Sequence, residues 1–339
     1  MTLRIKGPYR MVDFKTGKSL REGKNLVNFT VSSKDIDPEG IKVLPEERTR
    51  VYINGRQFRG LIDISKDKQD NLLIINHIDL EEYLYGVLYH EVSHRWPIEV
   101  LKAQAIAART YALYQKLVSQ DEYFDLTSDV YSQVYGGRSS ETWRTTRAVN
   151  LTRGRVLISS GKIFPSYYHA TCGGHTSRAS TIWDIDAPVL QGKVCNFCKA
   201  SPHYEWKKEL DMEYIQKRVQ EAGYKIQVVS MEALERDPSG RILEVALNGK
   251  NSNVGLKGNE FRLLVGPDII KSTNFEIRFK GKYVIFEGKG WGHGVGMCQW
   301  GAYYMARSGW NVDEILEYYY SGAEIASVGA ESQYTQKSD

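Results

Sequence analysis

No apolar run in the chain approaches the ~18 residues of a membrane-spanning helix; the longest patches, such as Leu72-Leu73-Ile74-Ile75, are strand-sized. There is no internal repeat and no low-complexity segment. With 42% apolar and 25% charged residues, the composition excludes collagen-like and coiled-coil rods and is that of an ordinary globular protein. Excess charge is also small, +4 from 45 basic and 41 acidic residues. The basic residues are dispersed, which argues against nucleic acid as a partner and leaves an anionic polymer compatible. The chain opens Met-Thr-Leu-Arg-Ile-Lys-Gly without a charged-then-apolar leader, so it is either cytosolic or written here without its leader. Cysteine is scarce, with four residues, so the spacing of those four carries the interest.

What is abundant is aromatic: seven Trp and 22 Tyr in 339 residues. Such rings offer flat surface with a polar tip, useful against carbohydrate, although most belong to the core. The length suggests roughly two domains at ~150 residues each. Residues 1–80 read as β, with an Asn54-Gly55 turn and short strands from Phe58 to Ile64 and Leu72 to Ile78. Residues 80–118 read as two helices. Asp79 is a suitable N-cap for the first, and Pro97 a suitable first residue for the second. In the second helix Ile98, Leu101, Ala105, Ala108 and Ala112 recur three or four apart as one buried stripe. Strands are expected over Arg155–Ser159, Ile163–Ala170 and 226–285, with helices near Met212–Ala222 and Asn311–Tyr320. The sum is a mixed α+β fold with two central helices, a β-sheet and a smaller β-rich inserted module. The expected boundaries are 1–80, a catalytic core over 81–205, an inserted module over 206–286, and 287–339 returning to the core.

Four constellations could carry chemistry. His90-Glu91-Val92-Ser93-His94 spells H-E-x-x-H, a zinc-hydrolase pattern when both His share one helical face. Pro97 follows three residues later and disfavours helix at Trp96, which favours a reading that keeps only Glu91, as a carboxylate between two helices. The second is the run Gly288-Lys-Gly-Trp-Gly-His-Gly-Val-Gly-Met-Cys-Gln-Trp-Gly-Ala302. Its alternating glycines leave a bare face that another backbone, a helix or a ligand can approach, with His293 and Gln299 nearby. The third is Cys195-x-x-Cys198, a zinc-knuckle spacing. Cys172 is a third ligand candidate there, and His169, His175 or His203 a fourth. Disulfides are the rival in an exported chain, and Cys298 looks separate. The fourth is Asp129-Val-Tyr-Ser-Gln-Val-Tyr-Gly136, which offers Gln133 and Tyr135 on a loop.

Together these segments resemble the stage II sporulation protein D and amidase-enhancer family of bacterial cell-wall proteins. The resemblance rests on Glu82-Tyr-Leu-Tyr-Gly-Val87, Glu91, Trp96-Pro97, Leu101-Lys-Ala-Gln-Ala-Ile-Ala-Ala-Arg-Thr-Tyr-Ala-Leu113 and Gln133-Val-Tyr135. It continues in Cys172-Gly-Gly174 with Thr176, Trp183, Asn259-Glu-Phe-Arg-Leu263 and Gly290 to Ala302. It implies a lytic transglycosylase cleaving the MurNAc–GlcNAc bond of peptidoglycan, with Glu91 as sole acid and base and 1,6-anhydroMurNAc ends as product. The alternative is a glycan-binding activator of a cell-wall amidase. The resemblance implies glycan contacts from Lys102, Arg109, Gln133, Tyr135, Gly173, Gly174, His293 and Gln299. It also implies a structural zinc on Cys172, Cys195, Cys198 and His169, with no cofactor needed for catalysis. The partners implied are glycan strands and other cell-wall hydrolases, and the location is the envelope or periplasm after export. Two departures stand out: Tyr89 and His90 replace the Pro and Ser often found before the Glu, and Cys298 replaces a Ser.

Overall fold

The computed structural model describes residues 1–36, 40–129, 132–183 and 185–328. The chain divides into two compact units, one holding residues 1–155 with Val328, the other Val156–Ser327.

Alternating apolar positions in the first eighty residues build the β part of the first unit. Its strands are β1 (Thr2–Asp13), β2 (Ser19–Thr30), β3 (Ile41–Pro45), β4 (Arg50–Ile53), β5 (Arg56–Phe58), β6 (Leu61–Lys66) and β7 (Leu72–His77). They form one sheet in the order β5-β4-β1-β3-β6-β7, with β2 also paired to β1. The turn between β4 and β5 is the expected Asn54-Gly55, with φ of 47° and 83°, as a tight hairpin turn requires. Leu3, Ile5 and Met11 of β1 pack with Val43, Val51, Ile62 and Ile64 in one core.

Helix α1 (Leu80–Glu91) starts where expected: the Asp79 carboxylate accepts the Glu81 and Glu82 N–H groups. Helix α2 (Ile98–Val118) follows Pro97, which stands one position earlier than expected, at the N-cap. The expected stripe is buried at Leu101, Ala105, Ala108 and Ala112, but so are Ala103, Ile106 and Ala107. The helix is enclosed on most sides because its alanines let α1 and α3 (Trp143–Leu151) approach closely.

The second unit contains β8 (Arg155–Ser159) from Val156 onward, β9 (Lys162–Ile163), β10 (Tyr168–His169), α4 (Ser180–Trp183), β11 (Glu205–Asp211), α5 (Met212–Glu221), β12 (Val228–Arg236), β13 (Ile242–Gly249) and β14 (Asn253–Lys257). It continues with α6 (Gly258–Val265), β15 (Phe275–Lys280), β16 (Tyr283–Lys289), β17 (Met297–Cys298), α7 (Gln299–Arg307), α8 (Val312–Tyr319) and β18 (Glu324–Ser327). Four small sheets result, ordered β18-β8-β9, β10-β17, β11-β16-β15 and β12-β13-β14. The mixed α+β class is as expected.

Four helices were not legible in the sequence: α3, α4, α6 and α7. The 226–285 stretch is strand except for α6, whose Phe261 and Val265 enter a core with Trp206, Ile215, Val245, Phe275 and Phe286. Eight residues are too few for a helical period to stand out among strands. Helix α7 is hidden behind the glycine run that precedes it, whereas α8 announces itself by the Asn311–Glu314 capping box.

Candidate active site and cysteine cluster

In the first unit α1 ends at Glu91, because Val92 turns to extended backbone (φ −141°, ψ 151°). The H-E-x-x-H pattern is therefore split, with His90 in the last helical turn and His94 beyond it. His90 Nε2 is 2.8 Å from Ser140 Oγ, and the His94 ring stacks on Tyr89 at 5.8 Å. Neither His belongs to a group of three metal-type side chains among the described residues. The helix break at Val92 is the physical reason, and this geometry does not support the zinc-hydrolase reading.

Glu91 is half-buried beside a tyrosine wall. Burial first, and then the charge of Glu91, pushes both Tyr83 and Tyr111 upward. The Tyr83 hydroxyl donates to Gln133 Oε1 at 3.2 Å, and Gln133 Nε2 donates to Ala108 O at 3.3 Å. The Tyr135 ring lies 5.2 Å from Tyr83 and 6.0 Å from Phe58. It fits because Gly86 has no side chain: a Cβ there would meet the ring at 2.5 Å. Gln133 and Tyr135 thus stand behind Glu91 as a buried support (0% and 7% exposed). They were expected on a loop as glycan contacts, and the loop is as expected; Val130 and Tyr131 of that segment lie outside the described residues.

Lys102, on the first turns of α2, donates to Glu99 at 2.8 Å and remains partly exposed. Arg109 departs from expectation. It is fully buried and bound bidentately to Glu81 (2.9 and 2.7 Å), with further bonds to Val149 O and Arg155 O. Its donors are spent inside the core, so it supports the fold and does not face a ligand. Sequence reasoning missed Arg144, whose guanidinium donates to His94 O and Trp96 O (2.8 and 2.9 Å). It pins the turn after Glu91 from fifty residues away, a separation no local pattern reveals.

In the second unit the glycine run does not leave an open face. Gly290, Gly292, Gly294 and Gly296 all have positive φ (80°, 103°, 88° and 69°), so the segment is not a regular strand. Their bare sides are covered by the chain itself: Gly290 by Thr171 and Cys172, Gly292 by His169, Gly294 by the Arg241 guanidinium, and Gly296 by Tyr167. Gly173 sits equally close, 2.9 Å from Gly290 N for an added Cβ, and Gly174 has φ 112°. Gln299 is the buried first residue of α7. The His293 ring is edge-on to Trp183 at 4.8 Å and to His169 at 5.6 Å. Burial, then His169, holds His293 well below the usual imidazole range. His293 also lines a cleft of about 980 Å³ together with Arg241, Glu244, Lys257, Asn259 and Glu260.

His169 is buried, with Nδ1 donating to Val295 O at 3.0 Å and Nε2 without a partner. Burial first, then the Arg241 charge, pushes it down to about 3. Between that value and the ~6.5 of an unfolded chain, only the unfolded state holds the proton. The stabilisation is therefore complete above ~6.5 and lost as pH falls toward 3. In urea titrations between pH 6 and 4, the unsubstituted chain should lose stability more steeply than His169→Gln, by up to ~1.4 kcal/mol per pH unit. Parallel slopes would contradict this.

The four cysteines come together. Cys172, Cys195, Cys198 and Cys298 are all buried and free, and their sulfurs all lie within 4.8 Å of one another. Cys298, which looked separate in the sequence, takes the fourth place in that group, where His169 was expected. Residues 168–169 and 297–298 pair as parallel strands, which delivers the Cys298 sulfur to the cluster. A tetrahedral zinc tetrathiolate, with ~2.3 Å bonds, sets its sulfurs ~3.8 Å apart. The Cys172–Cys198 sulfur separation of 3.3 Å is far beyond the ~2.05 Å of a disulfide.

The surroundings suit thiolates. Cys298 Sγ accepts the N–H groups of Cys172 and Gly301 (3.2 and 3.3 Å) and caps the N-terminus of α7. Sulfur–sulfur hydrogen bonding lowers Cys195 and Cys198 and raises Cys172, while burial raises Cys298. A divalent cation would complete the ionisation that these contacts begin. The donor set fits such an ion.

Comparison with known proteins places these features. A family model described as Stage II sporulation protein matches residues 68–158, and one described as a domain of unknown function matches 188–296. An uncharacterized protein of Brachyspira hyodysenteriae is 34% identical over 96% of this chain and 89% of its own length. The amidase enhancer of Bacillus subtilis is 25% identical over 88% of this chain and half of its own length. Stage II sporulation protein D of Bacillus amyloliquefaciens is 32% identical over 74% of this chain and 75% of its own length. On that extent of likeness, the chain belongs to the stage II sporulation protein D family.

Proposed function

We propose that the chain is a peptidoglycan lytic transglycosylase with Glu91 as its only acid and base. The observation that carries this reading is the placement of Glu91, a half-buried carboxylate at a helix break against buried tyrosines. The carbonyl end of α1 opposes negative charge at that point, which suits a proton donor. Glu91 gives its proton to the oxygen joining MurNAc to GlcNAc, and that bond breaks. The resulting carboxylate takes the proton of the muramic C6 hydroxyl. The C6 oxygen then closes on C1, and no water is consumed. A second carboxylate, usual in glycosidases, is not required.

Lys102 at the start of α2 lies in the unit that carries Glu91 and keeps accessible surface; within the other unit, Gly174 and the cleft-lining His293 do so among the expected sugar contacts. The cleft is within the size range of ligand pockets. Products from purified glycan strands, read by mass spectrometry, test the proposal: 1,6-anhydro ends support it, and hydrolysed reducing ends refute it. The likeness to an amidase enhancer over most of the chain favours a second reading, in which the protein binds glycan and stimulates a separate amidase. Either reading places the protein in the envelope, after export.

The cysteine cluster is proposed to hold a structural zinc through Cys172, Cys195, Cys198 and Cys298. The ion would cross-link the 172 loop, the 195–198 knuckle and the start of α7, and would take no part in bond cleavage. Metal analysis should find one zinc per chain. Removing it with a chelator should lower the melting temperature and loosen amides of residues 170–200 in hydrogen exchange. Unchanged exchange after complete removal would show that the ion does not hold these loops.

A further inference from the structure

We infer that Arg241 is the counter-cation of the cysteine cluster, a buried guanidinium that offsets the negative charge of four thiolates around a divalent ion and so helps retain it. The inference rests on the metal reading above.

Arg241 is 1% exposed, among the largest fully buried side chains of the protein. Its guanidinium donates to Cys172 O at 2.7 Å, His175 O at 2.9 Å and Ser239 Oγ at 3.0 Å, while Nε has no partner. Among the described residues no ion pair joins it to a carboxylate. Asp237 is buried nearby, but its carboxylate accepts from the Ser177 hydroxyl, from Ser239 and from the main-chain N–H of Arg241. A buried charge without an anion is strongly unfavourable. The shortest of its hydrogen bonds goes to the main-chain carbonyl of Cys172, a member of the sulfur cluster.

The charge count runs the same way. Four thiolates around a divalent ion leave an excess of two negative charges in a dry site, and one guanidinium halves it. The fork geometry suits Arg, which meets three acceptors at once. Gly294 supplies the space, since any side chain there would overlap the guanidinium. Arg241 does not bind the metal. It is a positioning residue, acting through the Cys172 main chain and through charge.

The test uses the full chain with Arg241→Met and Arg241→Lys. Zinc content is measured on the purified proteins, and affinity by competition with a chromophoric zinc chelator. The Met variant should bind zinc 10–100-fold more weakly, the usual effect of losing an outer partner. The Lys variant, which keeps the charge, should stay closer to the unsubstituted chain. Cobalt substituted for zinc should give the same thiolate charge-transfer bands in all three. A folded Met variant with unchanged affinity, or equal losses in Met and Lys, overturns the role of Arg241 and leaves the metal site standing. An unsubstituted chain that binds no zinc overturns both. Should the Met variant not fold, the Lys variant decides: near-native affinity supports the charge role, and zinc lost from a folded chain refutes it.

Discussion

Glu91→Gln should abolish release of 1,6-anhydro ends from purified glycan strands while leaving glycan binding intact. Gln has the shape of Glu but neither delivers a proton nor takes one back. In the proposed reaction both transfers pass through this one side chain, so no other group covers the loss. General acid–base catalysis supplies ~10²–10⁴-fold to a rate, and turnover should fall at least to that extent. Stability should change little, since a partly exposed end-of-helix substitution usually stays within ~0.5 kcal/mol. Turnover that survives in the variant would remove Glu91 from the mechanism. If neither protein cleaves but both bind glycan, the amidase-activating reading takes over, and its measure is stimulation of a purified cell-wall amidase.

Arg109→Ala should have the largest effect on stability, a loss of about 3–5 kcal/mol. The substitution leaves Glu81 charged and buried, with only the Gly154 N–H to replace the bidentate pair. It also strips a donor from Val149 O and Arg155 O. The double substitution Glu81→Gln with Arg109→Met should cost less than Arg109→Ala alone, because it leaves no unpaired charge. Urea unfolding of the three proteins checks the order. If Arg109→Ala were to unfold like the unsubstituted chain and yet bind glycan weakly, Arg109 would return to the substrate site that the family resemblance assigned it.

These residues show where sequence reading succeeds. Asp79 and Asn311 act at helix starts because capping is local: a side chain reaches its own backbone two or three positions away, while Pro97 acts through its fixed φ. The Asn54-Gly55 turn is legible for the same reason, since it depends on two residues tolerating positive φ. A helix end somewhere ahead of Trp96 could be anticipated from Pro97, because a proline restricts the residue before it; its position at Val92 could not. The Cys-x-x-Cys spacing of Cys195 and Cys198 likewise marks a knuckle without any knowledge of the fold.

What the sequence determined by itself, then, is everything set by near neighbours: element starts, turns, the isolation of Glu91 at a helix end, and the motifs that identify the family. Only the tertiary structure decided which distant groups meet. It brought Cys298 to the cluster in place of His169 through a parallel strand pair more than a hundred residues apart in the chain. It closed the bare face of the glycine run with the chain's own 167–172 segment and Arg241, and it turned Arg109 inward to Glu81. Side-chain type and spacing state what a residue can do. Which charge or sulfur it does it with depends on packing, where burial makes an unpaired charge too costly to leave.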